Sequence, residues 1–225
     1  MELKAEGVSH RFFRETKNSN FFYAVKKTDF ELKAGTLTEI TGRSGSGKTT
    51  FPNILSGLLK PTEGKVLLDG RDIYSLDDTR CSILRNRSFG VIPQGQTAVS
   101  SLSVLENVLL PWRLYEKSAA PEERAEELLQ RVGISELRDA RPKELSGGEL
   151  RRLSIARALI IDPDIIFADE PTGDLDDENT IEVLKLLKRS AEEGKAVLLV
   201  THENEAEKYA DRIYRMNNGE LNKVR

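Results

Sequence analysis

The sequence is poor in cysteine and in long apolar runs. Cys81 is the single cysteine in 225 residues, which excludes an internal disulfide, and the opening MELKAEGVSH lacks the apolar segment of a secretory signal. No apolar stretch approaches the roughly 18 residues of a membrane-spanning helix. We therefore expect a cytosolic chain, for which any membrane role requires a partner.

An excess of charge of one sign is also missing. The 34 Lys and Arg residues are nearly balanced by 37 Asp and Glu, giving a net charge of −3, so no general positive field favours nucleic acid as a partner. The 38% hydrophobic and 32% charged content is typical of a globular core with a charged exterior.

The order of predicted elements favours an α/β fold. Short alternating runs at 3–12, 22–32 and 36–41 predict strands, and strands alternate with helices from residue 42 onward. Between about 101 and 161 we find no convincing strand, which predicts a helical insert in which Ser103 and Glu106 form a capping box. A last short helix and a hairpin around Asn218 and Gly219 are expected near the end.

The strongest motif is GRSGSGKT at 42–49, which matches a phosphate-binding P-loop between a strand and a helix. Its glycines let successive amides turn toward phosphate oxygens, Lys48 supplies a charge to the β- and γ-phosphates, and the Thr49 hydroxyl can hold Mg²⁺. The alternative, a plain glycine-rich turn at the start of a helix, would not require a lysine followed by a threonine. The motif predicts a nucleoside triphosphate site.

An acidic pair follows the apolar run 165–168. Such a run is typical of a strand buried in a parallel sheet, so Asp169 and Glu170 are expected at the sheet edge where ligands bind. Adjacent strand residues point to opposite sides, which favours separate roles. We assign Asp169 to Mg²⁺, mainly through water, and Glu170 to the attacking water as general base; a solvated strand end is the alternative.

The segment LSGGE at 145–149 places two glycines in the first turn of a predicted helix. Ser146 and Glu149 fit a capping box, but each glycine costs on the order of 1 kcal/mol in a helix relative to alanine. Glycine allows another group to come close to the backbone, and a helix N-terminus attracts anions. An anion is therefore predicted at this helix end.

Together, GRSGSGKTT, LSGGELRR, IIFADEPTGDLD and LLVTHE occur in the order and approximate spacing of an ATP-binding cassette (ABC) ATPase. The whole chain resembles this family, and within it the lipoprotein-releasing and macrolide- or peptide-exporting group. The resemblance implies a single P-loop (RecA-like) ABC ATPase domain, 1–225, with an N-terminal antiparallel β subdomain. Its core lobe would span about 1–94 and 162–225, and its inserted helical subdomain about 95–161.

The same resemblance implies how the site is shared. Two ATPase domains of the family meet head to tail, so Ser146, Gly147 and Gly148 would contact an ATP held by a second chain, and Asp174 would also reach across the dimer. Gln94 matches the glutamine that senses Mg²⁺, and His202 matches the switch histidine at the γ-phosphate.

The nucleotide would be held by the P-loop and by one aromatic residue. The adenine would stack on Phe12 or Phe13, and a core or loop role is the alternative for each. The expected phosphate-binding residues are Gly42, Arg43, Ser44, Gly45, Ser46, Gly47, Lys48, Thr49 and Thr50.

Two prolines depart from the family pattern. Pro52 predicts an irregular start or a kink in the P-loop helix, and Pro93 fixes the backbone entering the glutamine loop.

The expected function is ATP hydrolysis by a homodimer that drives a separate integral membrane permease, for export or extraction of a lipoprotein, peptide or drug-like substrate. The alternative is an ATP-operated clamp that regulates a membrane or cell-wall partner without transport. The segment 95–112 is expected to receive a short helix of the membrane subunit, unless Leu105, Val108 and Leu109 merely pack the insert.

Overall fold

The computed structural model describes residues 1–13, 21–95, 97–115, 121–173 and 175–225. Its strands and α-helices are, in chain order, β1 (Glu2–Phe13), β2 (Phe21–Lys33), β3 (Thr36–Gly42), α1 (Thr50–Leu55), β4 (Glu63–Leu68), β5 (Arg71–Asp72), α2 (Asp78–Ser88), β6 (Phe89–Ile92), α3 (Val104–Tyr115), α4 (Glu122–Arg131), α5 (Gly147–Leu159), β7 (Ile165–Asp169), α6 (Asp177–Glu192), β8 (Ala196–Val200), β9 (Arg212–Asn217) and β10 (Glu220–Lys223).

The strands form two sheets. One is antiparallel, in the order β2-β1-β4-β5, and the other has the order β10-β9-β3-β8-β7-β6, in which β10 alone runs antiparallel to its neighbour. The P-loop strand β3 lies at the centre of the second sheet, between β8 and β9. Because β3, β7 and β8 are parallel, their carboxyl ends meet at one edge, where this fold class binds ligands.

The central sheet divides the hydrophobic core by side-chain alternation. On β7, Ile166 and Ala168 face a cluster that includes the buried side chains of α3, α4 and α5, whereas Ile165 and Phe167 face a cluster shared with the antiparallel sheet and α1. The fold is therefore a mixed α/β fold with an antiparallel sheet near the N-terminus, as the sequence predicts. The subdomain boundaries near 94 and 161 stay a prediction.

Several local expectations are confirmed. Ser103 and Glu106 form the capping box at the start of α3, and Asn218 and Gly219 have positive φ in the turn between β9 and β10. The irregular start or kink expected at Pro52 stays a prediction: Pro52 lies in the first turn of the six-residue α1, and its carbonyl accepts a hydrogen bond from the Ser56 amide.

The expected last short helix is present as a 3₁₀ helix, Asn204–Lys208. The expected docking role of three leucine and valine residues needs correction. Leu105, Val108 and Leu109 are buried against the other helices of the insert, so they are not available to a docking partner.

In the part of the chain that the structure describes, no helix is both long enough and apolar enough to cross a membrane.

Candidate nucleotide-binding site

The P-loop follows β3 and is shaped by glycines that no other residue could replace. Gly42 and Gly47 have φ of +154° and +107°. A Cβ on Gly42 would lie 2.3 Å from the Met216 carbonyl oxygen, and one on Gly47 would lie 2.0 Å from the Ala24 carbonyl oxygen. Both conformation and packing therefore require glycine here, since real Cβ atoms do not approach backbone so closely.

Lys48 folds back over this loop. Its side chain is buried, and Nζ donates to the carbonyl oxygens of Gly42 at 2.6 Å and Arg43 at 3.1 Å. Among the described residues no carboxylate forms an ion pair with Lys48, and the buried Ser46 hydroxyl has no hydrogen-bond partner. A buried ammonium held only by neutral carbonyls fits an anionic ligand such as a phosphate chain.

The P-loop forms one wall of a cleft of about 980 Å³. The cleft brings together Gln94, Glu170 and His202, which the sequence places far apart, and Thr50 lies on its wall. Its other lining residues are Phe12, Phe22, Ala24, Gly42, Arg43, Ser44, Gly45, Gly47, Lys48, Thr49, Gly95, Arg151 and Gly173.

Asp169 ends β7 as a buried carboxylate, and its Oδ1 atom has no hydrogen-bond partner among the described residues. Burial raises the pKa of Asp169, opposed first by a hydrogen bond from the Thr49 side chain and then by the charge of Lys48. An unpartnered buried carboxylate oxygen beside a threonine hydroxyl fits Mg²⁺, which binds one or two protein oxygens together with phosphate and water.

Glu170 leaves the strand with an unusual backbone. Its φ is +48°, a conformation that non-glycine residues rarely adopt, and its amide donates to the Val200 carbonyl at 2.8 Å. The side chain is 13% exposed, and Oε2 lies 2.9 Å from Nδ1 of His202, whose side chain is 70% exposed. Strained residues cluster at functional sites, and here the strain aims a carboxylate into the cleft.

The aromatic end of the cleft separates the two candidate phenylalanines. Phe12 lines the cleft together with Phe22, its partner across the β1–β2 pair, with ring centroids 5.7 Å apart. Phe13 is 67% exposed, packs edge-to-face on Phe21, and is not among the residues that line the cleft. The sequence analysis missed Phe22, which the strand register places beside Phe12.

The LSGGE segment lies outside this cleft. Ser146 caps α5: its Oγ accepts from the Glu149 amide at 3.3 Å and donates to Glu149 Oε2, which also accepts from the Ser146 amide. These bonds lower the pKa of Glu149. Gly147 and Gly148 have ordinary negative φ, so the conformation of the single chain does not explain why they are glycines.

Two further residues concern the glutamine loop and the dimer loop. Gln94 is exposed at the cleft wall, and the carbonyl of the preceding Pro93 accepts a hydrogen bond from Arg151 of α5. The sequence analysis did not single out Arg151. Asp174, predicted to reach across a dimer, lies outside the described residues.

Comparisons with known proteins agree with this geometry. The ABC transporter family model matches residues 25–173. The chain is 40% identical over 199 residues to an uncharacterized ABC transporter ATP-binding protein of Methanocaldococcus jannaschii, covering 88% of this chain and 89% of that one. It is 39% identical over 198 residues to the lipoprotein-releasing system ATP-binding protein LolD of Aquifex aeolicus, covering 88% of each.

Longer relatives and solved structures extend the likeness. The macrolide export ATP-binding/permease protein MacB of Bartonella henselae is 40% identical over 222 residues, which cover 97% of this chain and 33% of that one. A dimeric post-hydrolysis structure of an ATP-binding cassette with ADP and Pi superposes with a TM-score of 0.91 at 34% identity, covering 99% of each chain. This chain belongs to the ABC transporter family, as a cassette that binds and hydrolyses ATP with Mg²⁺.

Proposed function

We propose that two copies of this chain close around two MgATP and drive a separate membrane permease that exports or extracts a lipoprotein, peptide or drug-like substrate. The observation that carries the proposal is the separation, on one chain, of the P-loop cleft from the LSGGE segment at the start of α5. No residue of the LSGGE segment is among those that line the P-loop cleft, and Ser146 of that segment is exposed. Two chains related head to tail would unite them.

In the cleft, the P-loop amides hold the phosphates and Lys48 moves from its loop carbonyls to the β- and γ-phosphates. Thr49, Asp169 and Gln94 are the residues that would hold Mg²⁺, Asp169 mainly through water. Bound Mg²⁺ supplies positive charge that offsets the charge of the phosphate oxygens. Phe12 stacks on the adenine.

Glu170 acts as general base on the attacking water. Its side chain lies in the cleft, and His202 fixes the position of its Oε2 and reaches toward the γ-phosphate. The hydrogen bond between Glu170 and His202 supports the proposal that these two residues act together in catalysis. Phosphoryl transfer depends mainly on positioning and charge, which is what these two residues supply.

Across the dimer, Ser146, Gly147 and Gly148 present a hydroxyl and helix-terminal amides to the γ-phosphate held by the other chain. Asp174 reaches the same interface. Any Cβ at the two glycines would keep the nucleotide away, which would account for glycines that the backbone conformation of the single chain does not explain.

The export role rests on the relatives. LolD is named for lipoprotein release and MacB for macrolide export, and MacB joins an ATP-binding part to a permease in one chain. We therefore place this chain on the cytoplasmic face of a membrane, attached through a permease. Val99, 38% exposed after the glutamine loop, is a docking position that core packing leaves available.

The dimer is tested with Glu170→Gln, which should slow hydrolysis by roughly 10²- to 10⁴-fold and leave ATP bound. Size-exclusion chromatography should then show a shift from monomer to dimer when MgATP is added. Adding Ser146→Arg should reverse that shift, while each monomer still binds ATP. If the double variant dimerises as well as the single variant, LSGGE is only a helix cap and the proposal fails.

The permease is tested with Val99→Asp, a charge on the exposed part of the segment 95–112. Co-purified permease should be lost while ATP affinity stays within about twofold of wild type, since the cleft is untouched. The ATPase rate of the intact complex should respond to cargo. A complex that is indifferent to all candidate cargo would favour the regulatory clamp.

A further inference from the structure

Arg151 is a buried cation on α5, in the turn that follows the two signature glycines. It is 7% exposed and lines the cleft with Gln94 and Glu170. Its Nη1 atom donates to the Pro93 carbonyl oxygen at 2.8 Å. Burying a guanidinium costs several kcal/mol unless its surroundings compensate, so a position against the nucleotide cleft requires a reason.

The far side of the guanidinium faces the loop after β7. Its Nη2 atom lies 3.6 Å from the point that a Cβ on Gly173 would occupy, and Gly173 follows Glu170 by three residues. The charge of Arg151 is also among the influences that lower the pKa of Asp169, against the larger effect of burial. The side chain thus lies between the entry to the glutamine loop and the acidic end of β7.

The other arginines of this helix have different partners. Arg157 donates to the Thr97 carbonyl at 2.7 Å, beyond the glutamine loop, and Arg152 donates to Asn179 Oδ1 at 2.9 Å, on α6. Of these three, Arg151 is the one that lines the cleft. The helix that begins with LSGGE therefore holds the glutamine loop at both ends, and Arg151 holds the end nearest the phosphates.

We propose that Arg151 is a positioning residue for hydrolysis, which holds the Pro93 carbonyl so that Gln94 is set in the chain's own cleft and moves only with α5. The proposal rests on the function proposed above, in which the other end of α5 contacts the second chain's ATP. When the dimer closes on Ser146, the movement of α5 is transmitted to Gln94 of the same chain through the hydrogen bond from Arg151 to the Pro93 carbonyl. The two nucleotide sites are coupled through Arg151.

Three substitutions of Arg151 separate the contributions of charge, hydrogen bonding and bulk. Arg151→Lys keeps a charged donor, Arg151→Gln keeps a neutral donor, and Arg151→Met keeps length alone. Arg131→Gln, at an exposed arginine in the last turn of α4, is the matched control. Each variant is made in the full chain and checked for its melting temperature.

We expect Arg151→Met to lower kcat about tenfold while KM for ATP stays within about twofold, because positioning is lost and phosphate binding is not. Independently of activity, amide hydrogen exchange at Gly95, Thr97 and Ala98 should quicken in nucleotide-free Arg151→Met. Arg151→Lys should stay close to wild type in both measurements, and Arg131→Gln should match wild type.

The proposal is overturned if Arg151→Met matches Arg131→Gln in kcat and in exchange. It is also overturned if Met and Lys variants lose melting temperature and ATP affinity together, since that is the signature of packing. Should Arg151→Met not fold, the Lys and Gln variants decide: lower kcat in Gln supports the proposal, and equal kcat overturns it. Failure of the proposed dimer would appear in Glu170→Gln with Arg151 intact, so the two failures are distinguishable.

Discussion

The P-loop and the start of α5 both place glycines at a helix N-terminus, but the fold treats those glycines differently. Gly42 and Gly47 have positive φ and no room for a side chain, because backbone carbonyls lie where a Cβ would be. Gly147 and Gly148 have an ordinary helical backbone and are half-buried. Backbone conformation and packing within one chain explain the first pair, whereas the φ values of the second pair do not explain it.

The hydroxyls at the two helix ends differ in the same way. Thr49 at the start of α1 makes no capping hydrogen bond, and its side chain is turned to the buried Asp169. Ser146 is fully engaged in a capping box with Glu149. One helix end is arranged for a ligand in the single chain, and the other is stable without one.

The largest expected effect is a loss of ATP affinity from a substitution in the P-loop cleft, compared with a substitution at the start of α5. Lys48→Ala removes the charge that faces the β- and γ-phosphates, so ATP affinity should fall by on the order of 100-fold or more. Ser146→Arg should leave the ATP affinity of the monomer within about twofold. Equilibrium binding of a fluorescent ATP analogue measures both, and unchanged affinity in Lys48→Ala would refute the P-loop assignment.

A second effect concerns the strand beneath the cleft. Glu39 of β3 is fully buried with both carboxylate oxygens unpartnered, and burial raises its pKa from 4.5 to about 7, helped by Glu207 and opposed by Arg225. The folded state therefore favours the protonated form. Its contribution to stability is intact below pH 4.5 and is lost as pH rises through about 7.

Glu39→Gln should remove this pH dependence. Above pH 7 the variant should be more stable than wild type by about 3 kcal/mol, and the difference should shrink toward pH 4.5. Urea denaturation at several pH values measures the free energy of unfolding. An equal slope of stability against pH in both proteins would show that Glu39 is not the responsible group.

The smallest expected effect is a change in ATP affinity that distinguishes Phe12, which lines the cleft, from Phe13, which does not. Phe12→Ala removes a ring that lines the cleft and should weaken ATP binding about tenfold, in line with the stacking energy of a base. Phe13→Ala, one residue along and outside the cleft, is the matched control and should change affinity less than twofold. Equal losses in the two variants would mean that neither ring stacks on adenine specifically.

Local patterns predicted much of the fold. The apolar run of β7 predicted both a buried strand and carboxylates at its end, and Ser146 with Glu149 predicted a cap that the hydrogen bonds confirm. Each signal lies within a few neighbouring residues, which share one backbone conformation. The last short helix was also predicted, but its 3₁₀ type was not, because α- and 3₁₀-turns of a few residues carry the same local preferences.

Residues brought in by distant packing were missed. Phe22 reaches the cleft because β1 and β2 pair in the register that opposes it to Phe12, and Arg151 reaches it because α5 packs beside the end of β6. The sequence around Phe22 and around Arg151 contains no local pattern that indicates these distant contacts. Likewise, the choice between Phe12 and Phe13 depended on which face of the strand meets the cleft.

The sequence by itself determined the phosphate loop, the acidic end of a buried strand and the capped helix at LSGGE, since each is encoded in contiguous residues. The tertiary structure alone decided that Glu170 meets His202, that Arg151 holds the Pro93 carbonyl, and that LSGGE stays outside the cleft. The physical reason is distance along the chain. Contacts between segments 30 to 60 residues apart arise from sheet order and helix packing, which local composition does not specify.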